Sequence, residues 1–206
     1  ADGWLPLFFA PKDNTFYRDA LAEGFARPGA RRGPDGFDVA AVVPVVINDD
    51  VEAAADAVRP MLALYAGGMG AREANFHLDV FSRMGYEAEC AHIQDLYLAG
   101  DRRAAIAAVP TAMVEAVALV GPPAKIRADL DAWRESVVNT LVVSGPPSLR
   151  RTMADLVERH GHGEPIDVVG SVDVGHYLVD VLARRAVVAI VTRTPPDVIV
   201  LAIGRT

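Results

Sequence analysis

Gly67, Gly68, Gly70, Asn75 and His77 fall within eleven residues of one another. Glycine alone lets backbone come close to a phosphate or a ring, and it tolerates positive φ. The three glycines are therefore candidate cofactor-binding residues, with a helix C-cap and turn as the other reading. Their spacing is not that of a phosphate loop or a dinucleotide fingerprint. His77 titrates near neutrality and is the candidate catalytic residue, able to relay a proton. Asn75 could bind substrate or cap a helix. Arg72 and Arg83 could hold an anionic substrate group through charge-assisted hydrogen bonds, or face solvent. Phe8 and Phe9 can wall an apolar substrate pocket or fill a core.

Other chemistries find little support. Ser144-Gly-Pro-Pro lacks the Gly-x-Ser-x-Gly of a nucleophile elbow. His160-Gly-His162 has no clear third ligand, so no metal site is expected. Cys90 is the single cysteine, which excludes an internal disulfide and suits a cytoplasmic setting. With Glu89 and His92 beside it, it reads as a buried structural thiol and not a nucleophile. The net charge of -7 and scattered Arg pairs argue against non-specific nucleic-acid binding. The apolar runs at 39–47 and 187–191 are strand-length, far short of a membrane span. No secretory signal is visible. The chain begins Ala-Asp-Gly-Trp and not Met, as a processed, tag-cleaved or fragmentary chain would.

The elements that position these residues read as α/β. Residues 3–9 predict a short strand ending at Pro11, and Asn14 or Thr15 caps a helix to about residue 27. The β-branched run 39–47 predicts a strand covered on both faces. Asp49 or Asp50 caps a helix carrying Val51, Ala55, Val58, Leu62 and Tyr65, with a kink or break at Pro60. Helices follow near 73–84, 87–99, 102–108 and 111–119, then 124–135 with Ile126, Leu130 and Trp133 on one face. Residues 139–144 are the next strand, and Ser148 opens a helix to about residue 159. Strand-then-helix alternation implies parallel strands with crossover helices.

From Gly161 on, 46 residues hold 11 Val and no Lys, Asn, Gln, Phe, Trp, Met or Cys. This tail can form a helix over 172–185 and strands over 187–192 and 198–203. A non-native reading frame would give the same bias, and both readings stay open. The organisation is thus 1–156 as one domain and 157–206 as a tail of uncertain nature.

Several landmarks occur in order: Ala1-Asp-Gly-Trp-Leu-Pro-Leu-Phe; Val43-Pro-Val-Val-Ile-Asn-Asp-Asp with Glu52-Ala-Ala-Ala; Tyr65-Ala-Gly-Gly-Met-Gly with Asn75-Phe-His; Leu96-Tyr-Leu-Ala-Gly; Val109-Pro; Leu119-Val-Gly-Pro; and Thr140-Leu-Val-Val. In this order and spacing, residues 1 to about 156 resemble the C-terminal part of the luciferase-like monooxygenase family, in the branch that uses the deazaflavin coenzyme F420. The resemblance implies a (β/α)8 TIM barrel, of which the chain holds about three βα units and a helical insertion. Strands six to eight would be present, and the first five, with most cofactor contacts, absent. It also implies an oxidoreductase moving a hydride between coenzyme F420, or alternatively FMN, and a small organic molecule such as a sugar, pterin, alkane or aldehyde. No nucleic-acid or membrane partner is expected, and homo-oligomerisation is left open. The reading from a different class is a non-catalytic α/β fragment or assembly module with a new C-terminal tail. One departure is local: the family often places Gly before its last strand, where this chain has Ser136-Val137-Val138.

Overall fold

The computed structural model describes residues 2–69, 75–144, 146–158 and 198–202. They divide into two compact units, residues 1–45 with 123–206, and residues 46–122.

Unit 1 is built on a four-stranded sheet. Its strands are β1 (Gly3–Trp4), β2 (Asp38–Val42), β5 (Thr140–Ser144) and β6 (Val198–Ala202), in spatial order β1-β2-β5-β6. The first three run parallel, as the α/β alternation predicts, and β6 runs antiparallel to β5. Consecutive residues Val39, Ala40 and Ala41 of β2 and Leu141, Val142 and Val143 of β5 are all buried. Such runs belong to strands covered on both faces. The helices of this unit are α1 (Thr15–Ala26), α8 (Pro123–Glu135) and α9 (Pro147–Glu158). On α8, Ile126, Leu130 and Trp133 are buried together, as their spacing predicts.

Unit 2 is mainly helical. A two-stranded pair, β3 (Val45–Ile47) with β4 (Leu119–Gly121), flanks α2 (Val51–Asp56), α3 (Arg59–Ala63), α4 (Phe76–Arg83), α5 (Glu87–Leu98), α6 (Arg102–Ala107) and α7 (Thr111–Val117). Asp50 caps α2, its carboxylate accepting the Glu52 and Ala53 N–H groups.

Three expectations are corrected by the backbone, and one about Pro60 holds. The run 39–47 is two strands, because Pro44 has no N–H to give a ladder. The break expected at Pro60 is present: the helix from Val51 stops after Asp56 and a second starts at Arg59, with Pro60 in its first turn, where a missing N–H costs nothing. The helix expected to Leu119 stops at Val117, and Leu119–Gly121 is a strand. The first strand is two residues long, not seven. In the tail, β6 matches the strand expected at 198–203. The helix expected over 172–185 and the strand over 187–192 lie outside the described residues, as do Gly70, Arg72, His160 and His162.

Candidate functional site

In unit 2 the segment holding Gly67 and Gly68 is a single π-helical turn, Leu64–Gly68, continuing from α3. Turns of this kind often mark functional sites. Here the close approach of α5 accounts for both glycines. A Cβ on Gly67 would lie 2.7 Å from the Tyr97 Cβ and 3.1 Å from the Ile93 carbonyl oxygen. A Cβ on Gly68 would lie 2.7 Å from the Tyr97 Cζ. The Tyr97 ring thus covers both positions.

Asn75 ties this turn to α4. Its Oδ1 accepts the N–H groups of His77 (3.0 Å) and Leu78 (3.2 Å), capping the helix. Its Nδ2 donates to the carbonyls of Ala66 (2.8 Å) and Tyr65 (3.2 Å) inside the π turn. The side chain is buried and uses two donors and two acceptor positions within the protein. A π turn frees carbonyls from ordinary helical bonding, and Asn75 satisfies two of them.

His77 occupies the first turn of α4. Its ring meets the Tyr65 ring edge-on, with centroids 4.8 Å apart and an interplanar angle of 86°. Burial pushes its pKa below the ordinary histidine value. The imidazole is therefore neutral at pH 7 and able to accept a proton. Cys90, on α5, is buried, and burial followed by the nearby Glu89 charge raises its pKa to about 12. It has no nucleophilic thiolate at neutral pH.

One polar cluster of unit 2 went unread in the sequence. Arg59 lies at the start of α3 with its side chain 11% exposed. Its Nε donates to the Val109 carbonyl (2.9 Å), and Nη2 donates to Glu52 Oε2 (2.7 Å) and Thr111 Oγ1 (2.7 Å). Nη1 pairs with Asp56. Thr111 in turn donates to Glu52. Burial opposes the Arg59 charge, but the Glu52 and Asp56 carboxylates outweigh it and raise its pKa. The Glu52 pKa is lowered, first by the Thr111 hydroxyl and then by Arg59. The cluster fastens α2, α3 and the start of α7. The spacing of Glu52, Asp56 and Arg59, four and then three residues apart, was a usable signal.

In unit 1, Phe8 and Phe9 are both buried just beyond β1. Phe8 has φ 56°, the left-handed region, and is the one non-glycine residue with positive φ among the described residues. A bulky residue in that region is a strained outlier of the kind that gathers at functional sites. Phe9 joins an aromatic cluster with Trp4 (6.3 Å between centroids), Tyr17 (5.7 Å) and Trp133 (6.0 Å). That is a core position. At the departure from the family pattern, Ser136 closes the turn by side-chain bonding. Its hydroxyl donates to the Trp133 carbonyl (2.8 Å) and accepts the Val138 N–H (3.1 Å). The turn needs no positive φ, and so no glycine.

Among the described residues, no group of three or more His, Cys, Asp or Glu side chains could hold a metal ion. No described helix is long and apolar enough to cross a membrane.

Comparison with known proteins places this geometry in context. A protein of Mycobacterium tuberculosis named "Putative coenzyme F420-dependent oxidoreductase" is 41% identical over 157 residues, covering 76% of this chain and 45% of its own length. The coenzyme F420-dependent tetrahydromethanopterin reductase of Methanopyrus kandleri superposes with a TM-score of 0.54 at 27% identity, over 71% of this chain and 40% of that one. The chain spans less than half the length of either. The model of the luciferase-like monooxygenase family matches residues 1–140, which takes in the parallel strands β1 and β2, the π turn, Asn75 and all of unit 2. With that match over more than half its length, the chain belongs to the luciferase-like monooxygenase family.

Proposed function

We propose that this chain is part of an F420-dependent oxidoreductase that exchanges a hydride between the deazaflavin and a small organic substrate. The observation that carries the reading is the 41% identity over 157 residues to a relative named for that coenzyme. The structural likeness to an F420-dependent reductase supports it from a second direction. When bound, the coenzyme supplies the redox chemistry, and the protein supplies position, dryness and a proton.

The described residues do not fit the deazaflavin as a complete seat. Tyr97 covers Gly67 and Gly68, and Asn75 spends its hydrogen bonds on the π turn and α4. In this reading the π turn, Asn75 and Tyr97 hold the start of α4 in one place, and with it His77. A neutral, half-buried imidazole at that position would be able to accept a proton from a bound substrate. Phe8 remains a proposed apolar contact to substrate from the sequence pattern. Gly70 and Arg72 remain proposed contacts to cofactor and anionic substrate from the sequence pattern.

The test compares two chains, these 206 residues and a version extended to the full length of the relative, each titrated with coenzyme F420 and with FMN by fluorescence. The reading expects F420 binding by the extended chain and none, or far weaker binding, by the 206 residues. Binding of FMN in preference to F420 would overturn the choice of coenzyme. Failure of the extended chain to bind either would leave the non-catalytic reading standing.

A further inference from the structure

The sheet of unit 1 ends differently at its two sides. At one side β1 pairs with β2 at two positions, Gly3 with Asp38 and Trp4 with Val39. Pro6 follows two residues later and has no N–H to offer a further strand. Gly3 is pressed against β2, since a Cβ there would lie 2.8 Å from the Asp38 carbonyl oxygen. An edge this short, stopped by a proline, is a poor template for another chain.

On the other side β6 is the outermost strand, and β5, next to it, has none of these defences. β5 runs five residues, and Thr140, Leu141, Val142 and Val143 are 0–3% exposed. β2 takes one flank through the pairs Ala40–Thr140, Ala41–Leu141 and Val42–Val142. The opposite flank of an uncharged, proline-free strand is a row of donors and acceptors ready for any passing strand. β6 fills that flank along its whole length, in five pairs from Thr140–Ala202 to Ser144–Val198. Its sequence, Val-Ile-Val-Leu-Ala, is also uncharged and rich in β-branched residues. Left alone, it would be an aggregation hazard itself.

We propose that β6 is an edge guard. The chain supplies its own antiparallel strand to cover the open flank of β5, and the outer flank of β6 becomes the last edge of the sheet. The guard also occupies the flank on which a parallel sheet would continue.

The inference is tested in the full chain by Val142→Cys with Val200→Cys, two residues placed opposite each other, under mild oxidation. The proposal expects a disulfide within one chain and a monomer on a non-reducing gel. A disulfide between two chains would show that β6 guards a neighbour's edge and not its own. Absence of any disulfide would remove the pairing altogether. A second variant, Val200→Pro, addresses the guarding role. Amide exchange over 140–144 should quicken by about tenfold or more while exchange over 38–42 stays slow, and concentration-dependent oligomers should appear. Unchanged exchange over 140–144 and an unchanged oligomeric state would overturn the proposal. Loss of protection in both strands would show that β6 is core and not a guard.

Discussion

Tyr97 lies over Gly67 so closely that a methyl group on the glycine would sit 2.7 Å from the tyrosine Cβ. The glycines of the π turn therefore have a packing role whatever ligand they meet. Gly67→Ala should destabilise unit 2 by about 1–3 kcal/mol, the usual cost of an added methyl in a closed site. The three atoms nearest a Gly68→Ala methyl all belong to the Tyr97 ring, so adding Tyr97→Ala should recover much of its loss. The same second change should rescue Gly67→Ala less, because the Ile93 carbonyl 3.1 Å away remains. Urea midpoints of the four variants measure this, and a Gly68→Ala protein as stable as the parent would contradict it.

Asn75→Ala removes a helix cap and leaves the Tyr65 and Ala66 carbonyls without that partner. The cap is worth about 1 kcal/mol, and each buried group left unsatisfied costs about 1–3 kcal/mol. A loss of about 2–4 kcal/mol in unit 2 is expected, with faster amide exchange at His77 and Leu78. Equal exchange at those two amides would show that the cap is not formed in solution.

Much of this arrangement was legible beforehand, and what escaped had physical reasons. Helix α8 followed from the apolar spacing of Ile126, Leu130 and Trp133, α9 from Ser148 as a helix start, and Asp50 and Asn75 from the chemistry of caps. Parallel strands followed from alternation. The strand Leu119–Gly121 did not, because three apolar residues fit a helix end equally well. The π turn was invisible since nothing in Leu-Tyr-Ala-Gly-Gly states that Tyr97, some thirty residues later, will press on it. Burial of Phe9 and closure over Gly68 are tertiary facts, and composition could offer only the two alternatives for each.

His77 carries a pH signature. Its pKa is lowered by burial from the ordinary 6.5. Below 6.5 the unfolded chain takes up a proton that the folded chain declines, so the unfolded state binds more protons. The contribution of His77 is thus fully present above pH 6.5 and is lost as pH falls through the lower, folded value. Thermal melts between about pH 7.5 and pH 5 should show this decline, and His77→Gln should flatten it. Glu52 and Asp2 also have lowered pKa values, from 4.5 and 3.8, so their losses fall in a more acidic window. An undiminished slope in His77→Gln would assign the effect to another group.

Arg59 should behave as a fork and not as a charge. Arg59→Lys keeps the charge but cannot reach Val109, Thr111 and Glu52 together, and should cost about 1–3 kcal/mol. Thr111→Val removes one member and should cost about 1 kcal/mol, while Thr111→Ser should be close to neutral. Arg27, paired with Glu23 at 70% and 72% side-chain exposure, is the internal control. Arg27→Ala should leave the melting temperature unchanged, since exposed pairs contribute little. Comparable losses at Arg59 and Arg27 would show that the buried clamp has no special role.

The left-handed backbone of Phe8 can be separated from its ring. Both Phe8→Ala and Phe8→Gly remove the buried ring, at about 3–5 kcal/mol. Alanine keeps a Cβ that collides with the backbone at φ 56°, whereas glycine accepts that conformation. Phe8→Gly should therefore be the more stable of the two by about 1 kcal/mol, the reverse of the order expected in a strand or helix. Guanidinium unfolding of the pair decides the point. If alanine proves as stable as glycine, the strained turn after β1 is not held in solution, and Phe8 loses its claim to be more than core.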